Sequence, residues 1–172
     1  LDVGNRKWSA EMLDALGWPA QWMPEVTEST EVTAKVSAEA SESTGLPVGT
    51  PIVAGGGDQA AQAVGCGIVR EGMVSATLGT SGVVFAQSDE YRVEPDGKLH
   101  AFCHAVPGKW HPMGVMLSAA GSFQWYKNQL GREEQAIEDN GGENAYDLLT
   151  AAAQDVPPGS EGLVFLPYLS GE

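Results

Sequence analysis

About a third of the way along the chain lies the stretch Pro51-Ile52-Val53-Ala54-Gly55-Gly56-Gly57-Asp58-Gln59. Its beginning is apolar and typical of a short buried strand, and the alanine-rich residues 59–64 predict a helix directly after the glycines. In open α/β sheets, ligands bind where the carboxyl ends of strands lie beside the amino ends of helices. The stretch therefore predicts an α/β fold with a candidate site at Asp58.

Two roles are open for Asp58 from this local pattern. A carboxylate at the start of a helix could take the proton from a substrate hydroxyl group as that hydroxyl attacks phosphorus. The same carboxylate could instead only cap the helix. The three glycines before it let either a ligand or another backbone segment approach closely. The two roles are compatible, and the pattern alone favours neither.

A second glycine-containing stretch follows, and its character is that of a β-hairpin. Residues 73–78 and 83–86 are predicted strands around the turn Gly79-Thr80-Ser81-Gly82. Glycines beside two hydroxyl residues expose backbone amides and small donors, which suits phosphate oxygens. An ordinary hairpin turn is the alternative. The turn is not a Walker loop, because no Gly-Lys-Ser or Gly-Lys-Thr follows it.

A third candidate is the run of small residues 118–122, which opens a predicted helix that contains Gln124 and continues to Leu130. Small residues at the start of a helix can let a nucleotide lie against the backbone. Close packing of the helix would explain them equally well.

The remaining pattern predicts helices and strands in mixed order. The predicted elements are a helix from Ser9 to Leu16 stopped by Gly17, a strand at 31–37, a turn region at 41–50, strands at 98–106 and 110–117, a helix from 118 to 130 ended by Gly131, a helix containing Tyr146 and Leu149, and a buried strand at 163–166.

Composition and charge narrow the function classes. The 172 residues are 42% hydrophobic and 19% charged, which suits a folded protein with a core. The net charge of −14 repels phosphate backbones, so we expect no nucleic-acid partner. No apolar stretch is long enough to span a bilayer, and we expect no membrane partner. The chain begins at Leu1 without an initiator Met, so we expect an internal piece of a longer protein.

The cysteines and histidines do not predict a metal site. Cys66 and Cys103 are the only cysteines, and their spacing fits neither a redox motif nor a zinc site. Reduced thiols suggest a cytoplasmic protein. For His100, His104 and His111 we favour packing or hydrogen bonding over metal ligation, because no Cys or carboxylate completes a ligand shell.

Taken together and in this order, the segments resemble the FGGY family of carbohydrate kinases, and most closely its xylulokinases. The matching stretches are residues 1–9 (LDVGNRKWS), 55–58 (GGGD), 75–83 (SATLGTSGV), 102–105 (FCHA), 114–120 (GVMLSAA) and 165–172 (FLPYLSGE). The resemblance implies an actin/hexokinase-type ATPase fold with two ribonuclease-H-like α/β domains and a cleft between them. Residues 1–70 would be the end of the sugar-binding first domain, and residues 71–172 the start of the nucleotide-binding second domain.

The resemblance also implies a reaction, the transfer of the γ-phosphoryl group of MgATP to the terminal hydroxyl group of D-xylulose. Asp58 matches the position of the catalytic base of the family. Gln59 matches a residue that contacts substrate hydroxyl groups. ATP and Mg²⁺ are thus the expected nucleotide and metal, with a sugar as the other substrate and a homodimer as a possible assembly.

On the nucleotide side, the resemblance assigns roles to two segments. Gly79 and Thr80 match the phosphate-binding hairpin of the second domain. Ala120, Gly121 and Gln124 match the start of its nucleotide-binding helix.

Two departures from the family pattern limit these expectations. The amino-terminal Asp-x-Gly-Thr loop of the family is absent, as is the later part of the adenine site, so we expect this chain alone to be inactive. A Gln after the catalytic Asp also occurs in kinases for other polyols. The alternatives are therefore a kinase for ribulose, fuculose, gluconate or glycerol, or a non-catalytic fragment.

Overall fold

The computed structural model describes residues 1–171. Helices and strands alternate up to the third helix, and four consecutive strands and then three consecutive helices follow. The helices are α1 (Ala10–Leu16), α2 (Ala38–Thr44), α3 (Asp58–Gly65), α4 (Ala120–Leu130), α5 (Arg132–Asp139) and α6 (Ala145–Gln154). The strands are β1 (Val32–Lys35), β2 (Pro51–Val53), β3 (Val74–Leu78), β4 (Gly82–Ala86), β5 (His100–Cys103) and β6 (Trp110–Met116). Short 3₁₀ turns lie at Ala20–Trp22 and Ser160–Gly162.

The chain divides into two units that are interleaved in sequence. Unit 1 consists of Leu1–Ser75 and Val84–Gly114, and unit 2 consists of Ala76–Val83 and the chain from Val115 onward. Strands β1 and β2 form an antiparallel pair, and the other four strands form a sheet in the order β3-β4-β6-β5. The unit boundary falls inside β3, β4 and β6.

Local signals set the ends of α1. The Ser9 side chain accepts a hydrogen bond from the backbone N–H of Met12, and Gly17 ends the helix in the left-handed conformation with φ 65°. An N-cap hydroxyl and a C-terminal glycine satisfy backbone groups that a helix end leaves without partners. The helix predicted between Ser9 and Gly17 is confirmed.

The segment between β1 and β2 differs from the prediction. Residues 38–44, partly within the predicted turn region, form α2, which Ser37 caps by accepting from the backbone N–H of Ala40 at 3.1 Å. Gly45 closes the helix with φ 76°. The small polar residues gave no apolar periodicity, but caps at both ends stabilise this short helix. Strands β1 and β2 are confirmed. The predicted burial of β2 is wrong, because the side chains of β2 are exposed and, within residues 1–171, β2 pairs with β1 alone.

Unit 1 has its core where α3 packs beside the sheet. Ala60 and Ala63 on one face of α3 contact Ile68 and Phe85, and each of the four is buried. Ala60 and Ala63 are three positions apart, so both lie on the same helix face. This packing fixes the position of α3, and with it the position of Asp58 at the first turn.

Arg6 joins the amino-terminal segment to the turn between β5 and β6. Its Cζ atom lies 3.8 Å from the ring centre of Trp110, and its Nη2 donates to the carbonyl oxygen of Lys109 at 2.7 Å. Its Nε forms an ion pair with Glu28 at 2.9 Å, and the same carboxylate accepts from the N–H of Gly108 at 3.1 Å. Guanidinium groups suit such combined stacking and hydrogen bonding.

In unit 2, α4, α5 and α6 pack on one another. Helix α6 begins at the N-cap Asn144, which accepts from the N–H of Tyr146 at 2.9 Å. The Tyr146 ring lies 5.1 Å from that of Phe123 on α4, and Lys127 Nζ lies 4.5 Å from the Tyr146 ring centre. The predicted helices at 118–130 and around Tyr146 are confirmed, although α4 begins at Ala120.

The buried strand predicted at 163–166 is wrong. These residues form neither strand nor helix, and Leu163 is 81% exposed. A strand requires a hydrogen-bonded neighbour, and within residues 1–171 the sheets contain none for this run.

Candidate functional site

Asp58 is the first residue of α3 and is exposed. Its Oδ1 atom accepts a hydrogen bond from the backbone N–H of Gln59 at 2.8 Å, and the N-cap position belongs to Gly57. The N-cap residue provides no side-chain hydrogen bond. The amide of Gln59 thus holds the Asp58 carboxylate at the positive end of the helix, and this contact is compatible with both roles that the sequence left open.

A cavity of about 380 Å³ lies beside this helix start, within unit 1. Three of its polar lining residues are Asp58, Gln59 and His111, and the side chain of Cys103 also reaches it. The other lining residues are Leu1, Gly57, Ala60, Phe102 and Met113. A mostly apolar cavity with a few converging polar groups is the usual form of a small-molecule site.

The glycines before Asp58 have structural reasons of their own. Gly55 adopts φ 80°, a conformation that side chains disfavour. A Cβ atom at Gly56 would lie 3.1 Å from the Cβ of Ala105 and 3.4 Å from the Oγ of Ser29. At Gly56, the close approach is thus that of another chain segment.

Two predicted nucleotide-binding segments lie together in unit 2. The backbone N–H groups of Ala119 and Gly121 both donate to the carbonyl oxygen of Thr80, at 2.8 and 3.1 Å. The N–H of Ala120 donates to the carbonyl oxygen of Gly79 at 3.0 Å. The structure therefore brings Gly79, Thr80, Ala120 and Gly121 into one cluster.

This arrangement changes which groups can bind a phosphate. The first amides of α4 already have carbonyl partners in the hairpin, so they are not free donors for an anion. Thr80 and Ser81 are exposed at the hairpin tip. A phosphate at this point would therefore contact the hairpin itself, through its hydroxyl groups and remaining amides.

A second cavity, of about 300 Å³, lies beside the start of α4 and was not predicted. Its lining is largely aromatic and consists of Ala119, Ser122, Phe123, Tyr126 and Phe165. The spacing of Phe123 and Tyr126 places both on one face of α4, which was the available signal in the sequence. Phe165 belongs to a distant segment, so its contribution could not be inferred. Gln124 is exposed and is not among the lining residues.

The histidines have different environments. His104 is buried, and each of its ring nitrogens has a partner: Nδ1 accepts from the N–H of Val106 at 2.9 Å, and Nε2 donates to the carbonyl oxygen of Ile68 at 3.1 Å. Burial lowers the pKa of His104 and lowers the pKa of His111 to about 4. Both rings are therefore neutral at pH 7.

Residues 1–171 contain no group of three His, Cys, Asp or Glu side chains placed to hold a metal ion. Among the helices of the same residues, none has both the length and the hydropathy to cross a bilayer.

Family comparisons account for this arrangement of segments. The model of the FGGY family of carbohydrate kinases, N-terminal domain, matches residues 1–65, and that of the C-terminal domain matches residues 74–172. The chain belongs to the FGGY family of carbohydrate kinases.

Individual FGGY relatives match over the whole chain. A xylulose kinase of Escherichia coli (strain K12) is 42% identical over 172 residues, which are 100% of this chain and 33% of that protein. A gluconokinase of Bacillus subtilis (strain 168) is 30% identical over 173 residues, again 33% of that protein. The crystal structure of a xyloylose kinase from Brucella ovis is 39% identical with a TM-score of 0.78, and covers 100% of this chain and 33% of that one. The FGGY chain thus spans about a third of the length of its relatives, and its expected actin/hexokinase-type α/β fold is confirmed.

Proposed function

We propose that the protein to which this FGGY chain belongs phosphorylates D-xylulose with ATP and releases D-xylulose 5-phosphate and ADP. One observation supports this most strongly: Asp58 lies at the amino end of α3, beside Gln59 and a cavity large enough for a small polyol. The identity to xylulose kinases supports the choice of sugar.

Asp58 would act as the general base. The terminal hydroxyl group of the sugar gives its proton to the Asp58 carboxylate while its oxygen forms a bond to the γ-phosphorus of ATP. The bond between that phosphorus and the β,γ-bridging oxygen breaks, and ADP leaves with the electron pair. The N–H of Gln59 orients the carboxylate, since it already donates to Oδ1. The Gln59 side chain would contact the sugar hydroxyl groups.

The nucleotide would bind in unit 2. Gly79 and Thr80 form the hairpin tip that would hold phosphate oxygens, and Ala120 and Gly121 support that tip through the backbone hydrogen bonds of α4. The aromatic cavity lined by Phe123 and Phe165 would accommodate the purine base by stacking. We keep Gln124 as a contact to the nucleotide.

The wider assignments follow from the same proposal. Mg²⁺ would arrive with ATP and offset the phosphate charge. We propose the domain division at about residue 70, which places Asp58 and Gln59 in the first domain and the nucleotide site in the second. Residues after the division, among them His111, also line the sugar cavity. Both cysteines are free thiols, which fits a cytoplasmic enzyme. The homodimer stays a proposal.

The test is ADP release by the full-length protein, with D-xylulose, ribulose, fuculose, gluconate and glycerol as acceptors. We expect D-xylulose to give the highest kcat/KM, and we expect Asp58→Ala to abolish that turnover. Higher activity on another acceptor would change the proposed substrate and leave the kinase assignment intact. Absence of turnover with each acceptor would favour a non-catalytic role.

A gluconate kinase is the second candidate. It is favoured by the match of the whole of this chain to a third of the gluconokinase of Bacillus subtilis, at 30% identity. Gluconate carries a carboxylate, and the cavity beside Asp58 presents no Lys or Arg among its lining residues. Within the part of the chain that the structure describes, this cavity therefore suits a neutral sugar better.

A further inference from the structure

The cavity beside Asp58 contains one polar side chain that the proposed reaction does not use. His111 lies on β6 and lines the cavity, although only 4% of the residue is exposed. Its ring stacks on Phe85, with ring centres 4.1 Å apart and planes inclined by 23°. The ring is thus part of the core on one side and part of the cavity wall on the other.

The hydrogen bonding of His111 is incomplete. Its Nδ1 atom has no hydrogen-bond partner among residues 1–171. A buried polar atom without a partner costs about 1–3 kcal/mol, so such atoms usually meet a ligand, a water or another group. The neighbouring ring of His104, 5.9 Å away, is not available, because both of its nitrogens are engaged.

His104 and His111 differ in whether their ring nitrogens have hydrogen-bond partners. His104 is fixed by a hydrogen bond at each nitrogen, to Val106 and to Ile68. The stack on Phe85 fixes the plane of the His111 ring. It does not fix which edge of the ring carries a nitrogen, because a half-turn about χ2 exchanges the nitrogen and carbon positions. A ligand in the cavity can therefore meet a ring nitrogen of His111 without any change of packing.

The chemistry of the site indicates what this ligand group is. A ring nitrogen of a neutral imidazole donates in one tautomer and accepts in the other, and a hydroxyl group can pair with it in either case. A carboxylate or phosphate would use only the donor side. Asp58 lines the same cavity, and its negative charge disfavours a second anion there.

We propose that a ring nitrogen of His111 binds a hydroxyl group of the polyol substrate and so contributes to the choice of sugar. This inference rests on the proposed function, since it assumes that the cavity beside Asp58 holds the acceptor. His111 is a specificity-determining residue in this scheme, and Asp58 remains the base.

The test uses three variants of the full-length enzyme. His111→Phe keeps the stack on Phe85 and removes both ring nitrogens, and His111→Gln restores a donor and an acceptor. His100→Phe is the matched control, because His100 lies on the neighbouring strand, is exposed and is not among the lining residues. The measurements are KM for D-xylulose, KM for ATP, kcat and Tm.

For His111→Phe we expect KM for D-xylulose to rise about tenfold, the effect of one lost hydrogen bond, with KM for ATP within twofold of the wild type. His111→Gln should recover part of the loss, and His100→Phe should match the wild type. An unchanged KM for D-xylulose in a folded His111→Phe enzyme would overturn the proposal. A fall in Tm with equal rises in both KM values would also overturn it, since that result shows a purely structural role.

Deoxy analogues of D-xylulose identify the hydroxyl group. The loss caused by His111→Phe should vanish for the one analogue that lacks the contacted hydroxyl and persist for the others. Equal losses for every analogue would contradict the inference. A wild-type enzyme that turns over no acceptor at all would instead defeat the proposed function, so the two failures are distinguishable.

Discussion

Gly121 donates its backbone N–H to the carbonyl oxygen of Thr80 at 3.1 Å, in a contact so close that a side chain at position 121 would displace Thr80 by a few tenths of an ångström. A Cβ atom there would lie 3.1 Å from that oxygen and 3.2 Å from the Cγ2 of Thr80. The small residue at the start of α4 is therefore favoured by the hairpin, whatever the nucleotide needs. Backbone hydrogen bonds thus hold the hairpin tip and the start of α4 together.

Substitution of Gly121 by Ala should weaken nucleotide binding indirectly. The added methyl group pushes the hairpin tip away from α4, and we expect KM for ATP to rise severalfold with KM for the sugar unchanged. Steady-state kinetics of the full-length enzyme measure both values. Gly65→Ala is the control, because a Cβ there meets no atom within 4 Å, and it should leave KM for ATP unchanged. Equal effects of the two substitutions would refute the role of the Thr80 contact.

Removal of the carboxylate at position 58 should affect chemistry far more than nucleotide binding. We expect Asp58→Asn to lower kcat by about 10²–10⁴, the range for loss of a general base, and to leave the Kd for ATP within about twofold. Single-turnover kinetics and calorimetric titration with ATP measure the two effects. Asp14→Asn, at an exposed site in α1, serves as control. Loss of ATP binding in Asp58→Asn would assign Asp58 to the phosphate or metal site instead.

Acid should destabilise the protein through His111. The pKa of this residue is lowered to about 4 in the folded state, mainly by burial and then by the nearby His104, against an ordinary value of 6.5. As the pH falls from 6.5 towards 4, His111 binds a proton in the unfolded chain but stays neutral in the folded chain. The free energy of unfolding therefore decreases over this pH range. The free energy of unfolding decreases by about 2 kcal/mol at pH 5 and by about 3 kcal/mol once the pH is well below the folded-state pKa.

Denaturant unfolding at pH 7.5 and pH 5 measures this effect. The wild type should lose about 2 kcal/mol more than His111→Phe between the two conditions. His104, whose pKa is also lowered, is present in both proteins, so the difference between them reports His111 together with its electrostatic coupling to His104. Parallel losses in the two proteins would show that His111 does not titrate in this way. Nuclear magnetic resonance titration of the His111 ring gives an independent reading.

Arg6 should stabilise unit 1 in a way that lysine cannot replace. Arg6→Lys keeps the positive charge but loses the stack on Trp110 and the geometry that serves Glu28 and Lys109 together. We expect a decrease of about 1–2 kcal/mol in the free energy of unfolding. Arg92→Lys is the matched control, since the Arg92 side chain is 62% exposed and its ion pairs contribute little. Similar losses from both substitutions would argue against a special role for Arg6.

Local chemistry explains which parts of the fold were predictable. The ends of α1 follow from Ser9 and Gly17, whose effects act within a few residues, and the hairpin around Thr80 follows from its glycines. Helix α2 was missed because caps stabilise it and no apolar face marks it. The strand expected at 163–166 failed because a strand depends on a partner elsewhere in the chain, which local pattern does not reveal.

The residues of the candidate site also differ in whether local sequence could reveal them. Asp58 was identifiable because its glycines, strand and helix are contiguous in sequence. His111 and the aromatic cavity around Phe165 were not identifiable, because their positions depend on contacts between distant segments. The roles of all the candidate site residues stay predictions: Asp58, Gln59, Gly79, Thr80, Ala120, Gly121 and Gln124.

The interleaving of the two units also has a consequence for biosynthesis. Arg6 contacts Lys109 across 103 positions of sequence, and Val84–Gly114 are needed to complete the unit that Leu1–Ser75 begins. A ribosome therefore has to release more than a hundred residues before that unit can close, and closure of so long a loop is slow. Until then, the helix that carries Asp58 lacks the part of its unit that follows Phe85 in the sequence. The nascent chain is thus exposed to chaperones and proteases for longer than a chain whose domains follow one another in sequence.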